Sequence, residues 1–136
     1  MAHLSIRLTL LLVVTFLSAR AYASYSCSYP TINGSWYGES KECVGLIKLK
    51  CGAPQTTRWR KGAAVTASTP PGTAIATFCN ADGSYRGHAA IFIGPAAAGG
   101  LDVYDQWATQ SAWRRVIRLK NDGCNSNNAA AFFVIE

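Results

Sequence analysis

The chain has little charge and almost no histidine. Asp, Glu, Lys and Arg make up only 15% of its 136 residues, and the histidines are just two, His3 and His88. No Cys-x-x-Cys pair occurs, so the ligand spacing of a structural zinc site is missing. No metal and no other cofactor is called for. Only one long apolar run exists, near the N-terminus. It falls short of the roughly 20 residues that cross a bilayer, which argues against an integral membrane protein. Internal repeats and low-complexity tracts are absent. Hydrophobic residues at 49% with so few charges exclude a disordered chain.

What is present begins with a processing pattern. Arg7 precedes the apolar run Leu8 to Leu17, and Ala21-Tyr22-Ala23 supplies small residues at the two positions a signal peptidase reads. Residues 1–23 therefore read as a secretory signal peptide, and residues 24–136 as a single domain. The 13 basic side chains less Arg7 and Arg20 leave 11 against 7 acidic ones, a net charge of +4. A chain of this size buries roughly two-thirds of its unfolded surface, enough for a modest core. The expected location is extracellular, and a monomer is the default.

All five cysteines, Cys27, Cys43, Cys51, Cys79 and Cys124, lie beyond the signal. An oxidising compartment favours pairing. Five is odd, so one thiol is left over, either reactive or paired between molecules.

The pattern of elements is mixed. Residues 40–51 read as a helix, with Ser40 as its cap and Gly52 and Pro54 as its stop. Val44, Ile47 and Cys51 recur at helical spacing. Residues 56–71 read as a polar connection. Strands are expected at residues 73–78, 88–93, 101–107, 116–119 and 132–135, with a polar loop carrying Cys124 before the last. A helix followed by antiparallel strands is an α+β domain. Asn33-Gly34-Ser35 fits the N-glycosylation acceptor pattern.

Three side chains carry chemistry. Cys43 lies in the first turn of the expected helix, where free N–H groups and the macrodipole favour a thiolate. The thiolate is the competent nucleophile. The bland alternative is a half-cystine or a buried inert thiol. His88 opens a strand, from which an imidazole can take the thiol proton and later protonate a leaving amine. The alternative is a surface histidine with no partner. Asp105, 17 residues on, sits amid Val103, Tyr104 and Trp107, where a carboxylate needs a partner. It can orient the imidazole. Gln106 faces the other side of a regular strand, so only one of the two can serve, and Asp105 is favoured over a solvated carboxylate. The basic residues are spread out: Lys41, Lys48, Lys50, Arg58, Arg60, Lys61, Arg86, Arg114, Arg115, Arg118 and Lys120. Such charges usually form a solvated face, but their density suits an anionic surface such as a bacterial wall. No stacking-platform motif accompanies them, so nucleic acid is not an expected partner.

Taken in order, these blocks resemble a known family. Trp36-Tyr37-Gly38 and Glu42-Cys43-Val44-Gly45-Leu46 resemble the nucleophile motif of NlpC-type peptidoglycan amidases, which carry Asp-Cys-Ser-Gly-Leu at the start of a helix. Gly87-His88-Ala89-Ala90-Ile91-Phe92-Ile93-Gly94 is similar to their histidine strand. Trp59-Arg60-x-Gly62, Gly72-Thr73-Ala74-Ile75-Ala76-Thr77-Phe78 and Asp105-Gln106-Trp107 resemble one subfamily. It holds the type VI secretion amidase effectors of the second family and the domesticated amidase effectors of ticks. The resemblance spans about Trp36 to Leu119. It implies a papain-like fold, with the nucleophile helix packed on an antiparallel sheet. It makes Cys43 the nucleophile, His88 the base and acid, and Asp105 the orienting residue. Tyr37, or in its place Trp36, would contribute to the oxyanion or substrate site with the Cys43 N–H. Gln106 belongs to the same region. The family's Asp-Cys-Ser is here Glu42-Cys43-Val44, which changes the flanks of the nucleophile and not its role. If Cys43 is the free thiol, then Cys27, Cys51, Cys79 and Cys124 form two bridges in one of three connectivities.

The expected function is then a secreted antibacterial cysteine amidase, a hydrolase of amide bonds in the stems or cross-links of bacterial peptidoglycan, with anionic wall polymers as further partners. A cationic wall- or membrane-binding module that kills without catalysis is the rival from another class. A thiol hydrolase acting on host substrates is the third.

Overall fold

The computed structural model describes residues 23–136, so residues 1–22 of the expected signal peptide lie outside it. The described chain runs α1 (Cys43–Cys51), β1 (Lys61–Ala64), β2 (Thr73–Thr77), β3 (Ala89–Pro95), β4 (Leu101–Trp107), β5 (Gln110–Ile117) and β6 (Phe132–Ile135). The six strands form one sheet in the order β1-β6-β2-β3-β4-β5, and every pairing is antiparallel. This is the α+β architecture of one helix on an antiparallel sheet. No described helix is long and apolar enough to cross a membrane.

Alternation along the strands supplies both faces of the sheet. Ala74, Ala76, Ala89 and Ile91 point to the face that α1 covers with Leu46 and Ile47. Alanine at three of these positions lets the helix approach closely. Ile75, Ala90, Phe92, Val103, Ile117 and Phe132 fill the opposite face. The neighbouring central strands β2 and β3 are buried, β2 throughout and β3 over Ala89 to Phe92, which is why residues 88–93 read as a continuous apolar run.

Two disulfides tie irregular segments to this frame. Cys27–Cys51 fastens the N-terminal segment to the end of α1, and Cys79–Cys124 fastens the loop before β6 to the end of β2. Cys43 is the one free cysteine among the described residues.

Three boundaries differ from the sequence reading. The helix starts at Cys43, not Ser40, and Glu42 precedes it with no capping side chain. The cause is a close approach. Gly38 has φ of 93°, and a Cβ on it would lie 2.4 Å from the Gly45 carbonyl oxygen. A Cβ on Gly45 would in turn meet the Ser40 carbonyl oxygen at 2.6 Å. Residues 38–42 thus fold back against the first turn of the helix and cannot extend it. The fourth expected strand, residues 116–119, is really the longer β5, which begins at Gln110 and ends at Ile117. It forms a hairpin with β4, and its polar and basic residues hid the alternation. Finally, residues 61–64, read as part of a connection, form the short edge strand β1, largely exposed and so without an apolar pattern. The C-terminal stop of the helix is as expected, with Gly52 in the left-handed region at φ 64°.

Candidate active site

Cys43 occupies the first position of α1, 7% exposed, at the edge of the helix-covered face. Its backbone N–H has no intrahelical acceptor at that position. Burial pushes the thiol's pKa up. The hydrogen bond and charge of His88, the Tyr85 hydroxyl and the Ala89 N–H outweigh burial, and the net effect is a lowered pKa. Tyr85 Oη lies 3.5 Å from Cys43 Sγ. Its ring is held edge-on by Trp59 at 4.8 Å and by Phe78 at 6.4 Å. Burial, followed by the charge and hydrogen bond of Cys43 and the charge of Glu42, raises the Tyr85 pKa, so it remains a protonated donor.

His88 stands just before β3, where the chain leaves a tight turn. Gly87 has φ of 116°, and a Cβ there would sit 2.2 Å from Thr77 Oγ1. That hydroxyl donates to the Arg86 carbonyl at 2.7 Å and accepts from the His88 N–H at 3.0 Å. Thr77 therefore fixes the backbone of His88 from inside β2. The imidazole Nε2 meets Asp105 Oδ2 at 2.8 Å. Burial alone would lower the basicity of His88. Hydrogen bonds to Asp105 and Cys43, and the charges of both, overcome burial and raise its pKa to about 9. A lowered thiol and a raised imidazole both shift the balance toward a thiolate–imidazolium pair.

Asp105 is 1% exposed on β4. A break in the β4–β5 register between Asp105 and Trp107 leaves both Asp105 and Gln106 buried. Asp105 turns to His88. Gln106 turns to the helix side, where its Oε1 accepts from the Tyr37 N–H at 2.8 Å. Its Nε2 donates to the Tyr37 and Glu42 carbonyls at 2.8 and 2.9 Å. Both ends of the amide are thus committed to the backbone that leads into Cys43.

The remaining sequence candidates sit farther out. The Tyr37 hydroxyl donates to Asn33 Oδ1 at 2.9 Å and lies 3.1 Å from the Thr31 carbonyl, while Lys50 covers the ring. Tyr85, not Tyr37, is the tyrosine beside the thiol. Trp36 is 42% exposed, and its indole N–H donates to the Trp107 carbonyl at 3.0 Å. Arg115, counted among the surface charges, instead donates from Nε to both Asp105 oxygens, at 2.9 and 2.7 Å. Tyr85 and Arg115 lie in none of the blocks that resemble the family, and Thr77 shows nothing of its role within its block. Strand pairing brings in Thr77 and Arg115, and the turn before His88 brings in Tyr85.

A cleft of about 330 Å³ opens beside His88, lined by Trp107, Arg115, Ser126 and Asn127. A larger cavity of about 690 Å³, lined by Tyr25, Arg58, Trp59 and Glu136 among others, adjoins the site only through Trp59. Among the described residues no cluster of three or more His, Cys, Asp or Glu could hold a metal ion.

A reduced thiol at a helix start, an imidazole on the neighbouring strand and a buried carboxylate behind it define an α+β protein built around a cysteine–histidine–carboxylate array. Comparison with known proteins narrows this. The chain belongs to the domesticated amidase effector 2 family, whose model matches residues 14–135. It is 43% identical over 134 residues to Domesticated amidase effector 2 of Ixodes scapularis, covering 92% of this chain and 93% of that one. It is 36% identical over 119 residues to the Type VI secretion amidase effector 2 protein of Salmonella typhi, covering 73% and 87%. No solved structure matches the chain.

Proposed function

We propose that this protein is a secreted antibacterial cysteine amidase of papain-like design that hydrolyses amide bonds in the peptide stems or cross-links of bacterial peptidoglycan. The observations that carry this reading are the free thiol of Cys43 at the start of α1, the one free cysteine among the described residues, and the His88 imidazole bound to the buried Asp105 carboxylate at 2.8 Å. Membership in an amidase effector family supports the amide bond as the target.

The chemistry follows from the charges. The Cys43 thiolate attacks the amide carbon and forms a C–S bond. In this reading the Cys43 N–H and the Tyr85 hydroxyl donate to the developing oxyanion. As the tetrahedral species collapses, the C–N bond breaks and the His88 proton passes to the leaving amine. Neutral His88 then takes a proton from water, and the hydroxide adds to the thioester. Breakage of the C–S bond releases the acid and restores the thiolate and the imidazolium. Asp105 holds the imidazole and stabilises its charged form. The spread of basic residues would favour encounter with anionic wall polymers.

The pH profile checks this account. Activity needs Cys43 ionised and His88 protonated. The acid limb is expected below the ordinary thiol value of 9.0, and the alkaline limb near pH 9, where His88 loses its proton. Iodoacetamide should add one group to the folded protein, at Cys43, and wall digestion should stop in proportion. Full digestion by the singly alkylated protein would remove the thiol from the reaction.

A further inference from the structure

We propose that Arg115 is a positioning residue that fixes the Asp105 carboxylate against His88, extending the array from three side chains to four. The inference rests on the reading of Cys43, His88 and Asp105 given above.

Asp105 is 1% exposed, yet among the described residues its carboxylate accepts from two side chains only. His88 takes Oδ2. Arg115 reaches both oxygens through Nε and approaches Oδ2 again through Nη2 at 2.7 Å. Among the described residues no other side chain donates to Oδ1, so Arg115 alone defines the plane of the carboxylate there. A carboxylate held at one oxygen can swing about its bond to Cβ. One held across both by a guanidinium cannot.

The placement follows from the hairpin. Arg115 lies opposite Val103 on β5, which puts it diagonal to Asp105 on the same face of the sheet. The Trp107 ring lies under its guanidinium at 5.1 Å and meets the His88 ring edge-on at 6.2 Å. Trp107 therefore braces both partners of the carboxylate. The preceding residue supplies a built-in comparison. Arg114 also forms a fork, with Asp102, but its side chain is 63% exposed and it touches nothing in the array. Two adjacent arginines make similar pairs, one as a surface bridge and the other behind the imidazole.

The test uses the full mature chain on soluble muropeptides, with kcat and KM measured separately. Arg115→Met is expected to lower kcat about 10–100-fold with KM within threefold, because misplacement of the reacting groups acts on the chemical step. Arg115→Lys keeps a positive charge beside Asp105 and so guards against loss of the fold. It lacks the fork, so kcat should still fall about tenfold. Arg114→Met should stay within twofold of wild type. A double-mutant cycle settles the route of action. Asp105→Asn should cost far less in the Arg115→Met background than in wild type, since both changes disable one unit. The proposal is overturned if Arg115→Lys retains wild-type kcat, or if the costs of Asp105→Asn and Arg115→Met multiply independently. Cys43→Ala, run alongside, reports on the underlying reading: full turnover there would sink the reaction scheme itself, whatever Arg115 does.

Discussion

Replacing His88 by alanine is expected to lower kcat/KM on wall peptides by about 10⁴-fold or more, the scale seen when the base of such an array is removed. Two losses combine. The leaving amine loses its proton donor, and the thiol loses the hydrogen bond and charge that offset its burial. Burial then dominates, with only Tyr85 and the Ala89 N–H opposing it, so the Cys43 pKa should climb. Alkylation of Cys43 near pH 6 is the direct readout, and it should slow sharply relative to wild type. The fold should survive. Asp105 keeps its Arg115 partner when the imidazole is gone, so no unpaired charge is left in the core. Unchanged alkylation at pH 6 would show that His88 does not ionise the thiol.

The second large effect falls on stability. Gln106→Leu fills much the same volume but removes three part-buried hydrogen bonds made by a fully buried side chain. The Glu42 carbonyl still accepts from the Gly45 N–H at 3.0 Å, while the Tyr37 N–H and carbonyl lose the partners that Gln106 gave them. At about 1–3 kcal/mol for each of the two orphaned groups, the cost is roughly 2–6 kcal/mol. That corresponds to a fall in Tm on the order of 10 °C. The same change loosens the segment that sets Cys43 at the start of α1. A shift of about 1 Å in the nucleophile is worth about 100-fold in rate. Thermal unfolding and kcat should therefore fall together. A variant with wild-type Tm would refute the clamp.

Some of the site is legible in the sequence because punctuation marks it. Cys43 follows a glycine-containing turn and opens a helix, and Gly52 ends that helix. His88 follows Gly87 at the mouth of an apolar strand. The alternation of β4 separates Asp105 from Gln106, and the structure keeps them on different sides, one on His88 and one on the helix approach. Other parts depend on pairing between strands, which one-dimensional patterns do not carry. Arg115 reads as one basic residue among many until the β4–β5 register sets it diagonal to Asp105. Tyr85 lies in an irregular turn between β2 and β3, where no periodicity singles it out. Its one hint is proximity to His88, three residues on. The family resemblance assigns Tyr37 to the oxyanion or substrate site, but its hydroxyl turns to Asn33 and the Thr31 carbonyl instead. Edge strand β1 escaped because edge strands need no buried face, and Ser40 misled because a capping residue type means little where the chain packs too tightly to continue the helix.

The central claim is that Cys43 is the nucleophile of a wall amidase. Digestion of purified peptidoglycan by the mature chain and by Cys43→Ala, with the fragments read by mass spectrometry, tests it most directly. The account predicts that wild type generates new carboxylates and amines at stem or cross-link amides, and that Cys43→Ala releases none. Equal fragmentation by both forms would contradict it, as would bacterial killing by both with the wall left intact.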